Sequence, residues 1–132
     1  MKLLIICFAL VVAALARNFE PYELECINEL GIDKSILEGI DAPIDNPDFH
    51  RFTGCVWKKQ GMMKDDGEIN WDKFHDFILK GLGKSDAKAE DIVKRAIDSC
   101  RDVHGDSHGD TAIKVLMCVD VQLRSHRSEL EN

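Results

Sequence analysis

The chain has 132 residues, 45% of them hydrophobic and 31% charged, which suits one hydrophobic core and is too little for two. Its 24 acidic side chains outnumber the 17 basic ones, for a formal net charge of −7. The basic side chains are scattered and adjacent pairs such as Lys58-Lys59 are few, so an electrostatic grip on nucleic-acid phosphates or anionic lipid is not expected.

Residues 1–16 read as a signal peptide. Lys2 supplies a positive start, Leu3 to Leu15 is an apolar run without a charge, and Ala14-Leu15-Ala16 offers the small residues that signal peptidase needs, so cleavage is expected after Ala16. The run is shorter than the roughly 20 residues that cross a bilayer, and no later stretch matches it, so no membrane span is expected. The mature chain, residues 17–132, reads as a single secreted domain. Losing Lys2 makes it one charge more acidic, which argues against a cationic membrane-lytic peptide.

Helical periodicity runs through almost all of the mature chain, without the clean alternation of a sheet, so the fold class is all-α. Phe19, Tyr22, Cys26, Ile27 and Leu30 share a face of a first helix that Gly31 can close. Asp33 can cap a short second helix carrying Ile36, Leu37 and Ile40, stopped by Pro43. Pro47 suits the first turn of a third, with Phe49, Phe52, Cys55 and Val56 on one side up to Gly61. Asn70 can cap a fourth, whose Trp71, Phe74, Phe77, Ile78 and Leu82 make the most aromatic face of the chain before Gly83. Ser85 or Asp86 can cap a fifth, with Ile92, Val93, Ala96, Ile97, Cys100 and Val103 on one side. After a Gly-rich loop, a sixth helix starts from Asp110. Residues 115–119 are apolar on every side, so this helix should be surrounded by the others. The fourteen residues after Cys118 look too polar to plug an apolar cavity, so no C-terminal lid is expected.

Once Cys7 leaves with the signal, four cysteines remain: Cys26, Cys55, Cys100 and Cys118. An even count in a small secreted chain reads as two disulfides, with three pairings open. The intervening stretches of 28, 44 and 17 residues lack the close ligand pairs of a zinc site.

The run Arg51-Phe-Thr-Gly-Cys55-Val-Trp-Lys-Lys-Gln-Gly61-Met-Met-Lys-Asp-Asp-Gly67-Glu-Ile-Asn70 resembles the insect odorant-binding protein family, in its pheromone-binding and general odorant-binding branch. The resemblance covers essentially the whole mature chain. That family's usual pattern has six cysteines, with three residues between the second and third and eight between the fifth and sixth. If Cys55 is the third, Arg51 and Gly109 stand where the second and fifth would be. The family pairs those two with each other, so their joint absence leaves no orphan thiol and matches the four-cysteine "minus-C" subgroup. The resemblance implies Cys26–Cys55 and Cys100–Cys118 pairs and about six helices around a buried apolar cavity. It also implies a secreted carrier of small hydrophobic molecules, and leaves a chemosensory receptor or a second copy of the chain as protein partners. On this alignment, a double change Arg51→Cys and Gly109→Cys is expected to close a third disulfide.

An apolar pocket in such a domain would draw its walls from Phe52, Val56, Trp57, Met62, Phe74, Phe77, Ile78, Ile97, Leu116 and Val119, each of which could equally be plain core. Met62, Met63 and Met117 add deformable side chains. Other chemistries fit less well. The Met62–Lys73 stretch imitates a calcium loop, but with Gly67 at the sixth position two essential ligand places hold Met62 and Lys73, so Asp65-Asp66-Gly67 reads as a turn. His104-Gly-Asp-Ser-His108-Gly-Asp110 could hold a divalent metal weakly, yet it reads better as a solvated loop ending in an Asp cap. His75 sits at the edge of the aromatic face without a catalytic motif. No nucleophile with its base, paired carboxylates or phosphate loop is recognisable, so neither an enzyme nor a cofactor is expected. A secreted helical signalling protein is the alternative, but its bundle needs longer helices than these glycine-punctuated segments.

Overall fold

Cap residues and turn glycines set the helix ends in the computed structural model, which describes residues 19–38 and 43–131. Six α-helices lie among them: α1 (Pro21–Leu30), α2 (Pro47–Lys59), α3 (Trp71–Leu82), α4 (Ala87–Asp98), α5 (His108–Ser125) and α6 (Arg127–Glu131). The signal-peptide assignment and Ile40 fall outside the described residues.

Most starts are those the sequence announces. Asn46 accepts from the Asp48 amide at 2.8 Å and Pro47 takes the first turn of α2, where a missing N–H costs nothing. Asn70 accepts from Lys73 N at 3.3 Å, and Asp86, not Ser85, caps α4 by accepting from Ala89 N at 2.7 Å. Gly31 and Gly83 close α1 and α3 at φ of 66° and 68°, a left-handed conformation that costs glycine little.

Three expectations need correction. The second expected helix is a single 3-10 turn, Lys34–Ile36, although Asp33 caps it as anticipated by accepting from Ser35 N. The helix expected from Asp110 starts earlier. Ser107 is its cap, accepting from Asp110 N at 3.1 Å, so His108 and Gly109 are helical rather than loop residues. The tail folds back as α6, whose Leu130 is 3% exposed and belongs to the main core. Six α-helices therefore occur among the described residues, with α6 in the tail and a 3-10 turn where the short second helix was expected.

Helix α2 packs most extensively on α5; α1 lies on α2, α3 on α4, and α4 also touches α5 and α6. Two disulfides staple this arrangement. Cys26–Cys55 joins α1 to α2, and Cys100–Cys118 joins the turn after α4 to α5, with Cα separations of 5.9 and 6.0 Å. Loop-closure entropy makes each worth about 3–4 kcal/mol against the unfolded chain.

At the N-terminal end of α5 the contact is between backbones. A Cβ on Gly54 would come within 3.2 Å of Gly109 N, and one on Gly109 would overlap the His50 carbonyl. Neither glycine there needs positive φ; the requirement is close approach of α5 to α2.

Candidate functional site

Apolar side chains gather into two clusters separated by the α2–α5 pair. The larger contains Trp57, Met62, Met63, Phe74, Ile78, Ile97, Leu116 and Val119, closed by residues of α4 and by Leu123 and Leu130. The smaller holds Cys26, Ile27, Ile32, Leu37, Phe49, Phe52 and Ile113. Val56 is half-buried and packs against both.

Eight of the ten residues read as pocket walls thus come together. Trp57, Met62, Phe74, Ile78, Ile97, Leu116 and Val119 are buried in the larger cluster, with Phe77 half-buried against it. Phe52 faces the smaller cluster, and Val56 bridges the two. The rings of Trp57 and Phe74 are 5.4 Å apart and tilted, and Trp71 meets Phe74 edge-on at 6.0 Å, both favourable aromatic geometries. Val93, Val115 and Leu123, each with 0% exposure, belong to the same cluster; sequence reasoning placed the first two on apolar helix faces but not among the pocket walls, and did not single out Leu123. They continue the apolar stripes of α4 and α5, and that periodicity was the signal available.

Among the described residues three charged side chains, Glu23, Asp110 and Asp120, are buried. A cleft of about 750 Å³ lies between α2 and the start of α5; Arg51, Gly54, Lys58, His108 and Gly109 line it, and none of the ten apolar candidates does. Arg51 donates to Asp48 and to the Leu30 carbonyl, both at 2.8 Å. Lys59 donates to Glu25 and Glu29 at 3.2 and 3.1 Å, and these partners, Glu29 foremost, raise its pKa. Lys58 donates to Nδ1 of His108 at 2.9 Å, so this histidine turns towards α2. Among the described residues, no three His, Cys, Asp or Glu side chains converge as metal ligands.

Asp110 is a buried carboxylate at the α2–α5 junction. It accepts from Asp106 N at 2.8 Å, pairs with Lys114 at 3.1 Å and lies 3.9 Å from His50 Nε2. The Asp106 amide, then Lys114, hold its pKa below the ordinary carboxylate value. Asp65-Asp66-Gly67 is the expected turn, with Asp66 accepting from Glu68 N at 2.9 Å. His75 Nε2 lies 3.4 Å from the Glu90 carbonyl, bracing α3 against α4.

The family model described as "PBP/GOBP family" matches residues 9–121. The chain belongs to the PBP/GOBP family. These are the odorant- and pheromone-binding proteins of insects, which bind small hydrophobic molecules and are not enzymes. No curated protein and no solved structure matched. The larger cluster brings aromatic rings together with Met62 and Met63, whose thioether side chains are deformable. Arg51 and Gly109 line one and the same cleft.

Proposed function

We propose that this protein is a secreted carrier that takes up small hydrophobic, odorant- or pheromone-like molecules in its apolar interior and releases them unchanged. The family match over residues 9–121 carries this reading. The signal-like residues 1–16 and the two disulfides, which persist in oxidising compartments, support secretion. Among the described residues, no helix is long and apolar enough to cross a membrane. The ligand contacts are proposed at Val56, Trp57, Met62, Phe74, Phe77, Ile78, Ile97, Leu116 and Val119 around the larger cluster, with Phe52 behind Val56. Affinity comes mainly from apolar burial, at about 25 cal/mol per Å². We assign the chain to the four-cysteine subgroup because Arg51 and Gly109 share one cleft while the two remaining pairs are closed.

The test is displacement of N-phenyl-1-naphthylamine from the disulfide-intact protein by long-chain alcohols and esters. Saturable binding and competitive displacement are expected. A filled-in bundle, such as a helical signalling protein, would bind neither, and that result removes the proposal.

A further inference from the structure

Three aromatic rings run from the surface into the larger cluster. Trp71 is half-buried at the start of α3, Phe74 is fully buried beside it at 6.0 Å, and Trp57, also buried, stands 5.4 Å from Phe74. At the outer end the Arg101 guanidinium lies 5.1 Å above the Trp71 ring, while its Nε donates to Asp98 at 3.0 Å. A groove of about 210 Å³ opens at this point between α3 and the end of α4. Ile97 both lines the groove and belongs to the larger cluster, with only 2% of its surface exposed.

The parts around this groove differ in their freedom to move. Cys100, bonded to Cys118, holds the chain just after α4 against α5, and the Asn70 cap fixes the start of α3. Arg101 is a long, half-exposed side chain held, among the described residues, by one carboxylate and one ring face. Such contacts open by rotamer changes on fast timescales without helix motion. When the guanidinium leaves, the face it covered becomes bare indole, continuous with Phe74 and Ile97. A second groove reaches the same cluster at Met62 and Phe77, but its rim is Lys73, Asp76 and Lys80, with no side chain stacked across an aromatic face among the described residues.

We propose that ligand passes between solvent and the larger cluster through the α3–α4 groove, and that Arg101, lying on Trp71, is the side-chain gate that swings aside. This rests on the carrier reading and assigns its route. Arg101 acts on passage, not on the bound state, so its loss changes both rates together.

Stopped-flow measurement with N-phenyl-1-naphthylamine tests this on Arg101→Ala, with Lys80→Ala at the second groove for comparison. Arg101→Ala is expected to raise the association and dissociation rates by the same factor, about two- to fivefold, the range an exposed cation–π contact can hold closed. Kd stays within about twofold, and Lys80→Ala leaves both rates at the wild-type values. Unchanged rates in Arg101→Ala, a rise in dissociation alone, or faster exchange in Lys80→Ala would each overturn the gate while leaving the carrier intact. If the wild-type protein binds no probe at equilibrium, the carrier reading fails and the gate with it.

Discussion

Replacing Gly109 by Ala adds one methyl group where α5 meets α2 backbone to backbone. The new Cβ overlaps the carbonyl of His50, which is helical backbone and cannot rotate away as the end of a side chain could. Helix α5 must therefore back off from α2, loosening the contacts of Ile113 in the smaller cluster and of Ala112 and Leu116 in the larger. Overpacking of this kind costs about 1–3 kcal/mol, and alanine's better helix propensity returns up to about 1 kcal/mol. The net expectation is a loss of about 1–2 kcal/mol, or roughly 4–8 °C in Tm for a domain of this size. Thermal unfolding followed by circular dichroism, on protein with both disulfides formed, measures it. Gly54→Ala is the comparison: its Cβ would stand 3.2 Å from Gly109 N, a contact eased by shifts of a few tenths of an ångström, so its loss should be under about 1 kcal/mol. A Gly109→Ala protein as stable as wild type would refute the backbone-contact reasoning. The same overlap meets Gly109→Cys. A third disulfide from Arg51→Cys and Gly109→Cys must first push α5 outward, so its stabilisation should fall short of the roughly 4 kcal/mol that closing such a loop provides in principle.

Other perturbations separate the parts of the structure. Leu130→Ala should cost about 2 kcal/mol in chemical denaturation, the low end for a buried leucine because α6 is a terminal helix that can readjust; no change would mean that α6 is not docked. Removing one disulfide as a Cys→Ala pair should cost about 3–4 kcal/mol for either bridge, and equal unfolding midpoints for oxidised and reduced wild-type protein would contradict this. Asp110→Asn should destabilise by about 1–2 kcal/mol at pH 7, since an uncharged amide holds the Asp106 amide and Lys114 less well. Because the folded pKa of Asp110 lies below its unfolded value, its contribution is complete above about pH 4 and fades as pH falls through the folded pKa. The wild-type and variant stabilities should therefore converge in acid; a gap that widened there would reverse the sign of the argument.

The helical order was legible because its signals are local: an Asn or Asp before a run, a proline in the first turn, a glycine after the last. Where two such signals compete, the sequence does not choose between them. Ser107 and Asp110 are both good caps, and Ser107 takes that place because the Asp110 carboxylate is engaged by Asp106 N and Lys114. Leu130 stands alone among polar neighbours, so no periodicity marks it, and only the return of α6 against α4 buries it. The apolar membership of the candidate site was equally readable, but its division was not. Phe52 and Trp57 are five positions apart on α2, which at 3.6 residues per turn separates them by roughly 140°. They therefore face different clusters, a consequence of α2 lying between two apolar compartments that a single amphipathic stripe does not reveal. The Gly54–Gly109 contact left no sign at all, since two glycines 55 positions apart carry no pattern until the helices cross.

The central claim is that the larger apolar cluster, with Val56 at its edge, receives the ligand. Methyl-detected NMR of the disulfide-intact protein during addition of 1-dodecanol examines it most directly. Saturable shifts with one-to-one stoichiometry are predicted for the methyl groups of Val56, Ile78, Ile97, Leu116 and Val119. Shifts absent from these methyls, or confined to Leu30 at the polar cleft, would contradict the account.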